Sequence, residues 1–190
     1  MKHASPPAIL LILALLSAAL PALAAPNVLW QIGRSDNSAA EFALAPGNYG
    51  AFDMDGLFCV GVSRPETDWP YVHPGPGDNW AGGKTHAFSI FFNLDKAPEE
   101  GECAVVLDLA DTHYYAPPRL RVELNGRGLD RKTEPGSGSD AFLSGASDKG
   151  KETLITVTFP ASTLRTGENT VTITPLAGSS WAVYDALWME

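Results

Sequence analysis

The chain has 190 residues, with 13 lysines and arginines against 22 aspartates and glutamates, for a formal charge of −9. That balance argues against nucleic acid and anionic membrane as partners, since basic patches hold both, and it disfavours polyanions unless a local basic patch exists. The two cysteines, with no CxxC or Cys/His cluster around them, give no basis for a structural zinc site.

The first segment speaks to location. Lys2 supplies a basic start, Ala8 to Leu20 is an unbroken small and apolar run, and Ala22-Leu23-Ala24 has the small-x-small pattern of a cleavage site. Residues 1–24 therefore read as a secretory signal peptide, and the apolar run is shorter than the roughly 20 residues that cross a bilayer. The expectation is a secreted or periplasmic protein with no membrane partner after cleavage. Residues 25–190 are then one domain, long enough for a proper core.

Downstream the chain reads as β. VLWQIG at 28–33 is the first candidate strand, and SAAEFALA after it supports a short turn of helix at most. FCVGV at 58–62 follows. HAFSIFFNL places Phe88, Ile90 and Phe92 on one face, and CAVVLDLA occupies 103–110. In RLRVELNG, Leu120, Val122 and Leu124 alternate with Arg119, Arg121 and Glu123, and Asn125-Gly126 supplies a turn. TLITVTF at 153–159 directs Ile155, Val157 and Phe159 inward and leaves Leu154 on the threonine face; TVTIT at 170–174 and WAVYDALWM at 181–189 complete the set. About eight short strands with Gly, Pro and Asn punctuation predict an all-β fold, an antiparallel sandwich. The polar stretch 133–152 is a long loop, of the kind that is either functional or mobile. Cys59 and Cys103 either form a disulfide or remain two thiols on separate strands.

Two loops concentrate rings. DWPYVHPGPGDNWAGG, residues 68–83, carries Trp69, Tyr71, His73 and Trp80 among prolines and glycines that exclude regular helix or strand. DTHYYAPPRLR, residues 111–121, carries His113, Tyr114, Tyr115 and Arg119. Rings stack on the C–H faces of sugars, while neighbouring polar groups bind hydroxyls, and arginine pairs with carboxylates. Trp69 and Trp80 have a second reading as plugs that seal one end of the sandwich, and the 111–121 cluster has one as ordinary loop packing beside a solvated strand face. His73, Lys84, His86, His113, Tyr114 and Tyr115 are also residue types a lyase base requires, but their spacing is not diagnostic. No GxSxG, HExxH or Gly-rich phosphate loop is present, and no catalytic residue is assigned.

Three blocks carry a resemblance: LWQIGRSDNSAAEF near the start, FCVGVSRPETDWPYV in the middle, and FPASTLRTGENTVTITPLAGSSWAVYDALWME at the end. In this order they resemble the C-terminal domain of rhamnogalacturonan lyases, polysaccharide lyase family 4, from about Val28 to Glu190. The resemblance implies a jelly-roll sandwich of galactose-binding-like, carbohydrate-binding-module-like fold. It implies a non-catalytic module whose partner is a polysaccharide or oligosaccharide, with pectic chains as one candidate, because the lyase chemistry of those enzymes sits in a separate domain. It also suggests a structural calcium between Glu41 and Asp185, with no other cofactor. The alternatives are a structural or protein-interaction sandwich and, at greater distance, a small lyase; exposure of the loop rings discriminates between the first of these and sugar binding.

Overall fold

The computed structural model describes residues 27–190, so the signal peptide expected at residues 1–24 lies outside the described residues. Among the described residues there are ten strands. They are β1 (Trp30–Gly33), β2 (Leu57–Cys59), β3 (Val72–His73), β4 (Phe88–Leu94), β5 (Glu102–Thr112), β6 (Arg119–Leu124), β7 (Arg127–Lys132), β8 (Thr153–Pro160), β9 (Gly167–Pro175) and β10 (Ala182–Met189). One short helix, α1 (Pro65–Asp68), starts at a proline, whose fixed φ and missing N–H cost nothing in a first turn.

The strands form two five-stranded sheets. The first runs β1–β10–β5–β8, and β3 also pairs with β10, beyond the end of β1. The second runs β2–β4–β9–β6–β7. Pairing is antiparallel throughout, apart from β2 alongside β4. The all-β sandwich expected from the alternation is therefore present.

The period-2 pattern explains the core. Leu120, Val122 and Leu124 of β6 are fully buried, as are Val171 and Ile173 of β9 and Phe88 and Ile90 of β4. They share one core with Val105, Leu107 and Leu109 of β5 and with Val157 and Phe159 of β8. Leu154, assigned to the threonine face, is 58% exposed. The Asn125-Gly126 turn joins β6 to β7 with both residues at positive φ, 51° and 85°, as a two-residue hairpin requires.

Of the two readings of the cysteines, the structure has the separate thiols. Cys59 and Cys103 are free thiols. They sit in different sheets, Cys59 on β2 and Cys103 on β5. The Cys103 thiol donates to the Phe159 carbonyl at 3.7 Å, and burial pushes its pKa up.

Candidate functional site

The two ring-bearing loops meet at one end of the sandwich. Residues 74–78 pack on the turn before β10: Gly77 donates its N–H to the Ser179 carbonyl at 2.9 Å, and the Ser180 hydroxyl donates to Asp78. The same turn reaches the second loop, where Ser180 N–H donates to the Ala116 carbonyl and Arg119 N–H to the Ser179 hydroxyl, both at 2.9 Å. Ser179 and Ser180 thus stand between the two clusters.

The clusters have opposite fates. Trp69, Tyr71 and His73 are 0%, 1% and 0% exposed, so none offers a face to a ligand. Trp69 packs edge-on against Phe88 at 5.2 Å and lies 5.6 Å from Tyr184. The Tyr71 hydroxyl donates to the Leu143 carbonyl, and burial pushes its phenol well up. His73 stacks on Phe88 at 3.7 Å; its Nδ1 accepts from the Tyr184 hydroxyl and its Nε2 donates to the His86 carbonyl. Burial holds His73 neutral, with its pKa down at about 3. These three residues seal the sandwich rather than stack on sugar. Trp80 is half-buried, held edge-on by Tyr49 at 5.1 Å and Phe52 at 6.2 Å.

The second loop is open. Tyr114 is 48% exposed and Tyr115 87%, with ring centroids 5.0 Å apart and planes at 86°. His113 supports them. Its Nδ1 accepts the Ala116 N–H at 2.9 Å, which closes the turn, and its ring meets the buried Trp181 edge-on at 5.7 Å. Tyr114 lies against Gly138 of the long loop, where an added Cβ would stand 3.6 Å from the ring. Arg119 is exposed and reaches Asp130 at 3.2 Å. Of the eight expected sugar-site residues, Tyr114, Tyr115 and Arg119 are therefore exposed, and the half-buried His113 packs beside Tyr115.

The long loop 133–152 is pinned to the fold. The buried Asp111 carboxylate accepts the N–H and hydroxyl of Ser137 at 2.8 and 2.6 Å, and Phe142 and Leu143 are buried. Gly136 passes so close to β5 that a Cβ there would collide with the Thr112 carbonyl oxygen.

The calcium expectation named Glu41 and Asp185, and among the described residues the Oε2 of Glu41 is buried with no hydrogen-bond partner. Glu41 accepts the Arg34 N–H at 2.7 Å and faces its guanidinium at 3.6 Å. Asp185 gathers with Asp108 and Glu152, with ligand atoms all within 4.8 Å of one another. Asp185 sits where the β10–β5 register slips, and such a bulge re-aims a side chain. Its carboxylate accepts N–H groups from Asp36, Asn37 and Ser38 at 3.3, 2.9 and 3.0 Å. Asp108 is 1% exposed; its Oδ2 accepts the Ser35 hydroxyl, and its Oδ1 has no hydrogen-bond partner among the described residues. Burial, more than any neighbour, raises the pKa of both aspartates. An orphaned buried oxygen amid three carboxylates fits a hard, oxygen-seeking dication. Asp108 had a sequence signal, an acid in the apolar run CAVVLDLA, whereas Glu152 in its polar loop had none.

Comparison with known proteins agrees with the jelly-roll reading. Residues 28–189 match the family described as CBM-like: Polysaccharide lyase family 4, domain III. A 96-residue stretch is 32% identical to a Neurospora crassa protein named "Putative rhamnogalacturonase"; it covers 50% of this chain and 17% of that protein. Similar solved structures include a family 35 carbohydrate binding module from Clostridium thermocellum (18% identity, 53% of this chain and 68% of that one, TM-score 0.36). Another is an exo-beta-1,3-galactanase from Phanerochaete chrysosporium (18% identity, 56% and 21% covered, TM-score 0.34).

Proposed function

Because the chain belongs to the CBM-like domain III of polysaccharide lyase family 4, we propose that it is an exported carbohydrate-binding module for a pectic, rhamnogalacturonan-type polysaccharide. The observation that carries this reading is the pair of exposed rings, Tyr114 and Tyr115, set at right angles on a loop that His113 and Trp181 brace. Tyrosine gives an apolar face and a hydroxyl at small entropic cost, which suits a sugar ring. Arg119, at the root of the loop, would take a uronate carboxylate. Ring exposure separates this reading from a purely structural sandwich, and two rings are exposed.

Calcium fits the carboxylate triad: Asp108, Glu152 and Asp185 would hold it. When bound it supplies charge neutralisation of three carboxylates, two of which burial disfavours as anions. Its place would be structural, joining β5, β10 and the end of the long loop.

The test is isothermal titration of the domain with rhamnogalacturonan, arabinogalactan and galactan. Tyr114→Ala and Tyr115→Ala are expected to weaken binding about tenfold or more each, the scale of an exposed aromatic anchor, with unchanged melting. Undiminished binding in the double variant removes the tyrosine platform. No response to any glycan removes the function.

A further inference from the structure

The charge of the chain is unevenly spread. Between Arg119 and Lys132 lie five of the 13 basic residues (Arg119, Arg121, Arg127, Arg131, Lys132) and two of the 22 acidic ones. The β6–β7 hairpin is therefore +3 (5 − 2), and the rest of the chain is −12 (−9 − 3). A positive hairpin on a negative molecule is the local patch that a polyanion needs.

Register decides which of these charges share a face. Arg119 pairs with Lys132, and Arg121 with Asp130, across β6–β7. On the other side Arg121 pairs with Thr174 and Glu123 with Thr172 of β9. Their neighbours Leu120, Val122 and Leu124 are buried, so this row points to solvent. Thr170, Thr172 and Thr174 continue the face as a ladder of half-buried hydroxyls, and β4 adds Ser89 opposite Thr172. The outer face of the second sheet thus carries Arg119, Arg121 and Lys132 clustered around Asp130 at one end, with Glu123 and Glu168 farther along the rows of hydroxyls, while Arg127 and Arg131 pair with the buried Leu124 and Leu120 and lie on the other side.

The cations are arranged in advance. Asp130 stands between two guanidiniums, 3.2 Å from Arg119 and 3.4 Å from Arg121, and Glu123 reaches Arg121 at 3.8 Å. Arg121 lies across the β7 backbone at Gly128, where a Cβ would come within 2.7 Å of its Nε. Both arginine side chains remain about half exposed, at 57% and 44%. Cations already fixed on a rigid sheet lose little entropy when a ligand carboxylate joins them.

We infer that this sheet face is an extended binding surface for a carboxylate-bearing polysaccharide chain, with Arg119, Arg121 and Lys132 engaging uronates and the β9 threonines engaging hydroxyls. The inference rests on the glycan-binding reading and extends it from the tyrosine loop, which leads directly into Arg119, onto the sheet. An acidic protein partner fits less well. A stable protein interface centres on buried aromatic or aliphatic anchors, and this row of threonines offers none.

The test uses the full chain and polygalacturonate as probe, by affinity electrophoresis and titration at two salt concentrations. Binding to polygalacturonate is expected, weakening with salt and lost on methyl-esterification of the same polymer. Arg119→Gln with Lys132→Gln is expected to lower the affinity about tenfold, the scale of two partly exposed ionic contacts. Gly128→Ala, which displaces Arg121, is expected to lower it several-fold. Equal affinity for acid and methyl-ester polymers, or unchanged affinity in the charge variants, overturns the inference. Equal binding to dextran sulfate or to polyglutamate also overturns it, since the patch would then be a generic cation surface or a protein contact. Loss of neutral-glycan binding in Tyr115→Ala, with charge variants unaffected on every polymer, leaves the tyrosine loop standing and removes the strip. The converse pattern leaves the strip and removes the tyrosine loop.

Discussion

Trp69 separates a core ring from a ligand platform. It is 0% exposed and packs against Phe58, Phe88 and Tyr184 at 6.4, 5.2 and 5.6 Å, so Trp69→Ala opens a cavity where both sheets meet. Phe/Trp→Ala changes in cores cost about 3–5 kcal/mol. At roughly 2–4 °C per kcal/mol for a chain of this size, the melting temperature should fall by about 6–20 °C. Trp69→Phe should behave differently. The indole N–H has no hydrogen-bond partner among the described residues, so the smaller ring sacrifices no bond and should cost less than about 2 kcal/mol. Differential scanning calorimetry gives the melting temperatures, and glycan titration well below the transition gives binding by the folded fraction. Both variants should bind like the wild type there. A Trp69→Ala protein that melts normally but no longer binds glycan would refute the buried assignment.

The polar interior sets three further outcomes. Burial raises the pKa of Asp108 and Asp185, which opposes folding once they ionise: the native state is favoured least above the raised values, and lowering the pH through them relieves the cost. In chelator, the urea midpoint should therefore rise as pH is lowered through these raised values; calcium at a hundredfold its Kd should add about 2.7 kcal/mol at pH 7 and flatten the profile, and Asp108→Asn should abolish that response. His86 is buried with Nε2 donating to the Ala81 carbonyl at 2.9 Å and Nδ1 facing the Asp55 carboxylate. Asp55→Ala should cost about 1–3 kcal/mol by chemical denaturation, since it leaves the buried Nδ1 without its partner. Gly136→Ala should push the long loop off β5, measured as faster tryptic cleavage at Lys149 and Lys151 and faster amide exchange at Ser137.

Strand periodicity was legible where one face is wet and the other dry. It located eight of the ten strands and even the odd placement of Leu154. It passed over β7, whose RGLDRK lies on a sheet edge with no fully buried residue, and β3, two residues amid prolines and glycines that pair only because β10 passes alongside. The aromatic loops show the harder limit. Trp69 and Tyr115 have the same local signature, rings among turn-forming residues, yet one is fully buried and the other 87% exposed. What separates them is long-range: Pro70 bridges to Ala43 and Tyr71 donates its N–H to the Ala43 carbonyl, which draws the first loop beneath the sheets. The triad fails the same way. Asp108, Glu152 and Asp185 meet through a bulge on β10 and the return of a long loop, and no spacing encodes either.

The long loop links the three chemical features of the molecule. It leaves β7 at Lys132, the last cation of the hairpin, and passes Gly138 against Tyr114. It then buries Phe142 and Leu143, the second of which accepts the Tyr71 hydroxyl, and it ends at Glu152 in the carboxylate triad. Its anchor midway is the Asp111–Ser137 pair at the end of β5, where the chain runs on into His113 and Tyr114. A loop fixed at so many points transmits order along its length, because each contact it keeps lowers the entropic cost of keeping the next. A cation at the proposed site of Glu152 and its partners would therefore act on the same segment that supports Tyr114. Were the two coupled in this way, linkage requires that a ligand ordering the tyrosine loop would favour that cation by the same factor, which a calcium titration with and without saturating glycan would read.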